Sequence, residues 1–161
     1  MNFLFVCTGN VCRSFSAHKL LAEALKGTAN EVRSCGIAAQ TYFRPPDRVI
    51  AFLNNSGIAD TAHIPGLITE ELVNWADIIL PMESLHYDLI ADKFPQSIRK
   101  MKLLKEYCLE LEGKPVPSEE ELQIADPMGG DDADFQTALS GIKSCINIIA
   151  VKFRSDTSSN R

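Results

Sequence analysis

No apolar run in the chain approaches the length of a membrane span, and no basic segment precedes the short apolar stretch Phe3-Leu4-Phe5-Val6. Neither a membrane anchor nor a signal peptide is therefore expected. Positive charge is not in excess either: 16 Lys and Arg against 21 Asp and Glu leave a net charge of −5. That balance argues against non-specific binding to nucleic acid or to acidic membranes. The five cysteines, at positions 7, 12, 35, 108 and 145, are odd in number and irregularly spaced. They do not form a disulfide framework on that pattern, and a reducing, cytoplasmic setting fits them. Repeats and domain linkers are absent, and 161 residues at 45% hydrophobic suffice for one well-buried core. A single domain over 1–154 is expected, followed by a polar tail, 155–161, that frays. The expected state is a monomer or weak dimer.

What the chain does have is the stretch from Phe3 to Ser14. Its apolar start reads as a buried strand, Gly9 and Asn10 as a turn, and the spacing of Ala17, Leu20, Leu21, Ala24 and Leu25 as a helix. A strand, a tight loop and a helix N-terminus together make an anion site, because free N–H groups and the helix dipole converge. Cys7 stands at the strand end and Arg13 closes the loop six residues later. A ring of amide donors and a guanidinium favours the thiolate over the thiol. The backbone of Thr8, Gly9, Asn10, Val11 and Cys12 would hold phosphoryl oxygens, and Arg13 can grip two of them as a planar fork. Gly9 and Asn10 tolerate the positive φ that inward-turned amides need. Ser14 can donate a hydrogen bond to the sulfur. The plain alternative for Cys7 is a small buried hydrophobe, but that role needs neither Arg nor Ser at these offsets.

Asp126 is the second candidate. Cleaving a phosphate monoester needs a proton for the departing oxygen and then a base for water, and one carboxylate above the cradle can do both. Asp126-Pro127 followed by Gly129-Gly130 also reads as a turn before a helix, so capping competes. The acids after it, Asp131, Asp132 and Asp134, read as cap and first-turn charges of the last helix. They do not match a calcium loop, and neither metal nor cofactor is expected.

The string Cys7-Thr8-Gly9-Asn10-Val11-Cys12-Arg13-Ser14 resembles the signature of the low-molecular-weight protein tyrosine phosphatases, and Asp126-Pro127 resembles the motif that carries their general acid. The similarity extends through Ser34-Cys35-Gly36, Pro46-Asp47 and Leu103-Leu104-Lys105-Glu106-Tyr107. It implies catalysis by Cys7, Arg13 and Asp126, and a reversible disulfide between Cys7 and Cys12. Two departures stand out. Phe15 replaces the family's proline at the helix start, a change expected to be tolerated because proline there only preorganises the first turn. Met128 and Gly129 follow Asp-Pro where the family often has an aromatic. A related branch that acts on phosphoarginine carries Thr at the position of Val11, so Val11 favours phosphotyrosine.

In chain order the pattern predicts strands at 3–6, 31–35, 77–80 and 102–104. Helices are expected at 47–55, capped by Asp47, after Thr69, and at 82–94 with Leu85, Leu89 and Ile90 inward. A last helix carries Phe135, Leu139, Ile142, Ile146, Ile149 and Phe153 on one face. The expected fold is α/β: a four-stranded parallel sheet with helices on both faces and a phosphate-binding loop after the first strand. The ligand site then lies beyond the carboxyl ends of the strands. Tyr42 and Phe43 are expected as one wall of a slot for an aryl phosphate and Met128 as the other, with Asn10 and Ser34 as loop supports. His18, His63 and His86 read as isolated structural histidines.

The leading expectation is a cysteine-dependent phosphatase that hydrolyses phosphotyrosine on proteins, or small aryl phosphates, through a phospho-cysteine. Alternatives are a protein arginine phosphatase and an arsenate reductase on the same loop, or a non-catalytic phosphate-binding module. Arsenate reduction needs further thiols placed as a relay, and Cys35, Cys108 and Cys145 show no close pairing in sequence.

Overall fold

A computed structural model describes residues 1–155 of the chain. Strand β1 (Asn2–Cys7) lies between β2 (Glu31–Gly36) and β3 (Ile78–Pro81) in a parallel sheet of order β2-β1-β3. The register runs from Asn2 against Glu31 to Cys7 against Gly36, and from Phe3 against Ile78 to Val6 against Pro81. Being central, β1 is buried on both faces, which is why Phe3 to Cys7 reads as an unbroken apolar run rather than an alternating one.

Alternate residues of β1 feed two cores. Phe3, Phe5 and Cys7 pack with α1 (Arg13–Ala24), α2 (Asp47–Asn55), α5 (Leu104–Leu111) and α6 (Asp132–Ser155). Leu4 and Val6 pack with α3 (Glu70–Trp75) and α4 (Ser84–Lys93) on the other face. The apolar series from Phe135 to Phe153 on α6 faces the first core. At roughly 25 cal/mol per Å² of apolar surface removed from water, these two layers dominate the stability.

Three expectations need correction. The sheet has three strands rather than four: Met101 makes one bridge to Ile79, and α5 begins at Leu104, with the Glu106 carboxylate accepting the Leu103 N–H. A segment of two or three residues before a capped helix cannot sustain a ladder. Helix α2 is capped by Pro46, with Asp47 its first residue. On α4, Leu85 and Leu89 are exposed, and His86 and Ile90 form the buried stripe. Thr69 does cap α3, accepting the Leu72 N–H. The tail lies outside the described residues apart from Ser155, which ends α6. Among the described residues no helix is long and apolar enough to cross a membrane.

Candidate active site

The loop Thr8–Cys12 leaves the carboxyl end of β1 and runs into α1. Its start is tied to the chain beyond β2, where Ile37 N–H donates to the Cys7 carbonyl and Ala38 N–H to that of Thr8, both at 3.0 Å. Gly36 lies under this turn so closely that a Cβ there would meet the Thr8 carbonyl oxygen at 2.4 Å. The sharpest bend falls at Asn10, the one non-glycine residue with positive φ (57°) among those described. Gly9, expected to share that role, is not in the left-handed region; a Cβ on it would meet Phe43 and Val11 at 3.7 Å and so narrow the opening above the loop.

A left-handed non-glycine residue persists when its surroundings hold it there, and Asn10 is held on every side. Its Nδ2 donates to Ser14 Oγ at 2.9 Å and Ser34 Oγ at 3.0 Å, its Oδ1 accepts from Gly66 N–H at 3.1 Å, and its carbonyl bonds His63 Nε2 at 2.6 Å. Ser34 in turn bonds His18 Nδ1 at 3.1 Å. Phe15, fully buried, stacks on the His63 ring with centroids 4.3 Å apart. Phe15 therefore braces the loop through His63.

Cys7 Sγ lies 2.9 Å from Ser14 Oγ. Because Asn10 already donates to that oxygen, the serine proton can go to the sulfur or to the Cys35 carbonyl at 3.3 Å. A thiolate takes the Ser14 proton; a thiol donates to Ser14, whose proton then turns to Cys35. The serine can follow the charge on sulfur without moving its oxygen. Cys12, by contrast, is buried beside Cys7, and its thiol is pushed up to about 12, by burial first and the neighbouring sulfur second.

Arg13 is 1% exposed, and its guanidinium is divided between two groups of partners. One terminal nitrogen donates to Glu83 Oε2 at 2.5 Å and to the Ile124 carbonyl at 2.8 Å. The other lies 3.3 Å from Asp126 Oδ2 and 3.5 Å from Thr8 Oγ1. Glu83 follows the end of β3, and its N–H donates to His86 Nδ1 at 3.2 Å. The segment carrying Asp126 is pinned to the same strand end, since Ile124 N–H donates to the Met82 carbonyl at 2.9 Å. Gln123 exchanges two 2.8 Å bonds with Ser84, and Lys105 on α5 donates to the Gln123 carbonyl. Asp126 itself is half-exposed, with its Oδ1 accepting the Met128 N–H.

A cavity of about 300 Å³ is lined by Cys7, Cys12, Arg13 and Asp126. Val11, Phe43 and Met128 supply apolar walls, and Arg44 stands beside them. The structure thus gathers Cys7, Thr8, Gly9, Val11, Cys12, Arg13, Phe43, Asp126 and Met128 around one opening. Asn10, Ser14 and Ser34 stand behind the loop as supports. Tyr42 is not among the lining residues: it is 71% exposed and packs edge-on against Phe43. Asp131 and Asp134 exchange side-chain-to-backbone bonds at the start of α6, the capping role expected of those acids.

Sequence reasoning missed Glu83, Gly36, Arg44 and the part played by His86. Glu83 had a signal, because a charged residue just past the end of a buried strand lies on the ligand side of such a sheet. It also missed that Cys108 and Cys145 adjoin, with Cys108 Sγ 3.4 Å from the Cys145 carbonyl between α5 and α6. Neither lines the cavity. Among the described residues, no three His, Cys, Asp or Glu side chains cluster as a metal site would require.

The family model described as low molecular weight phosphotyrosine protein phosphatase matches residues 2–158. A protein-arginine-phosphatase of Geobacillus stearothermophilus is 32% identical over 154 residues, covering 95% of this chain and 96% of that protein. The low molecular weight protein-tyrosine-phosphatase Etp of Escherichia coli K12 is 32% identical over 117 residues, 72% of this chain and 75% of its own. The solved structure of the G. stearothermophilus arginine phosphatase superposes with a TM-score of 0.82 at 30% identity, covering 99% of this chain and 97% of the other.

Proposed function

The chain belongs to the low molecular weight phosphotyrosine protein phosphatase family, and on that premise we propose that it hydrolyses phosphotyrosine in proteins, with Cys7, Arg13 and Asp126 as its catalytic residues. The observation that carries the reading is the convergence of Cys7 Sγ, the Arg13 guanidinium and the Asp126 carboxylate on one cavity.

The Cys7 thiolate attacks phosphorus, forming the S–P bond as the bond to the phenolic oxygen breaks, and Asp126 as a carboxylic acid delivers a proton to that oxygen. Asp126, now a carboxylate, takes a proton from water as the water oxygen attacks phosphorus. The S–P bond breaks, phosphate leaves, and the returning thiolate is met by the Ser14 hydroxyl. The amides of the Thr8–Cys12 loop and Arg13 carry the phosphoryl charge throughout, where preorganised donors contribute most. Asp126 Oδ2 lies 3.3 Å from a terminal nitrogen of Arg13, so the proposed acid and the proposed phosphoryl-binding group are side by side.

The apolar walls of Val11, Phe43 and Met128 suit a flat aryl group above the phosphoryl site. A second reading, phosphoarginine, is supported by the name of the G. stearothermophilus relative, which aligns along almost the whole chain. Arsenate reduction lacks support, because Cys108 and Cys145 pair away from the cavity. Matched peptides carrying phosphotyrosine or phosphoarginine, assayed without metal and with reductant, test the assignment. Higher kcat/KM on phosphotyrosine is expected. The reverse order would transfer the activity to phosphoarginine, and no turnover of either by folded, reduced protein would end the phosphatase reading.

A further inference from the structure

From the hydrogen bonds around His86 we infer that the Thr8 hydroxyl is an additional donor to the phosphoryl group, and that His86 is the positioning residue that aims it. The inference deepens the anion-binding part of the function proposed above and rests on that reading.

His86 is fully buried on α4, and its two ring nitrogens have different partners. Nδ1 lies 3.2 Å from the Glu83 nitrogen, which can only donate, so Nδ1 is the acceptor. The neutral ring then carries its proton on Nε2, 2.9 Å from Thr8 Oγ1. The charged form would place a second N–H against the Glu83 N–H. Burial and the nearby Arg13 both disfavour that form and draw the ring down to about 4. Histidine therefore donates to threonine, and not the reverse.

A hydroxyl oxygen has two lone pairs and one proton. On Thr8 Oγ1 one lone pair takes Nε2–H of His86, and the other faces an Arg13 guanidinium nitrogen at 3.5 Å. Arginine is also only a donor, so neither neighbour can receive the Thr8 proton. Thr8 lines the cavity together with Cys7 and Arg13, so the O–H is left to point toward a ligand oxygen placed there. The position after the nucleophile would thus contribute a side-chain donor in addition to its amide, and the donor cannot turn away because both of its neighbours require it as acceptor.

Two conservative changes at His86 separate its bonds. Asn is short and reproduces Nδ1, so His86→Asn keeps an acceptor for Glu83 N–H and loses the donor to Thr8. Gln reaches the Nε2 position, so His86→Gln keeps the donor to Thr8 and loses the acceptor. Equilibrium binding of inorganic phosphate, read by calorimetry, needs no turnover and stays informative if the substrate assignment fails.

Thr8→Val should weaken phosphate about tenfold, the range for one hydrogen bond to a charged group, and Thr8→Ser should stay within about twofold of wild type. His86→Asn should follow Thr8→Val, His86→Gln should follow wild type, and Thr8→Val combined with His86→Asn should be no weaker than either alone. Unchanged binding in Thr8→Val would overturn the donor role. Loss in His86→Gln with retention in His86→Asn, or additive losses in the double variant, would overturn the positioning role. Failure of wild type to turn over any phosphopeptide while this order of phosphate affinities holds would remove the phosphatase reading and leave the inference standing.

Discussion

Replacing Gly36 by Ala should disable the enzyme while leaving most of the fold intact. The residue lies on β2, paired with Cys7, and its N–H and C=O bond the Gly66 carbonyl and the Ile68 N–H. Its backbone is therefore held on both sides. A Cβ would lie 2.4 Å from the Thr8 carbonyl oxygen, 3.0 Å from Ala39 Cβ and 3.1 Å from the Asn10 nitrogen. Ordinary contact begins at about 3.4 Å, so something must retreat by about 1 Å, and two of the three neighbours are backbone of the loop. The Thr8 carbonyl also accepts the Ala38 N–H, so its retreat strains that bond and shifts the amides that follow. Misplacing catalytic groups by about 1 Å costs on the order of 100-fold in rate. The strain itself should cost about 1–3 kcal/mol of stability, the usual range for overpacking. Hydrolysis of p-nitrophenyl phosphate, beside a thermal melt, checks both. A Gly36→Ala protein within about threefold of wild-type kcat/KM would refute the claim that this close approach sets the loop.

Phe15→Pro, which restores the residue usual in the family, should destabilise this protein by about 3 kcal/mol. It removes a fully buried ring from the core and the stack on His63, and chemical denaturation will show it. Stability unchanged by Phe15→Pro would mean that the ring is replaceable. Glu83→Gln keeps a hydrogen bond to Arg13 but removes the charge, and a neutral bond is about half as strong. The expected cost is about tenfold in kcat/KM for p-nitrophenyl phosphate, and full activity would show that Arg13 needs no anionic anchor. Burial draws both His18 and His86 down to about 4, against about 6.5 for an exposed histidine. The unfolded chain therefore binds more protons between those values, so this stability is complete above pH 6.5 and declines as pH falls toward 4. Unfolding free energy should drop by about 1.5 kcal/mol per histidine between pH 6.5 and 5, and a flat profile there would contradict their neutral state.

The elements legible in the sequence were those with strong local signals. Phe3 to Val6, the ordered offsets of Cys7, Arg13 and Ser14, and the helical spacing from Phe135 to Phe153 each carry a pattern that tertiary context had no reason to override. What was not legible depends on partners far along the chain. Glu83 and His86 meet the loop across 70 and 78 residues, and no local periodicity announces an ion pair or a tautomer. The fourth strand failed because three apolar or basic residues after a 3-10 turn look the same whether they pair or lead into a capped helix. Leu85 and Leu89 were read as inward from hydrophobicity alone, whereas the phase of α4 is set by His86, whose ring is buried by its hydrogen bonds. Likewise Gly9 and Asn10 both suit a left-handed bend, and only the bonds around Asn10 decide which residue takes it.

The proposed mechanism requires covalent catalysis by Cys7, and the most direct test is to trap the intermediate. Asp126→Asn protein, slowed at the second step, would be mixed with p-nitrophenyl phosphate, quenched, digested and examined by mass spectrometry. One phosphoryl group on the sulfur of Cys7, together with loss of turnover in a Cys7→Ser control, is the predicted result. Turnover that persists in Cys7→Ser would contradict the account.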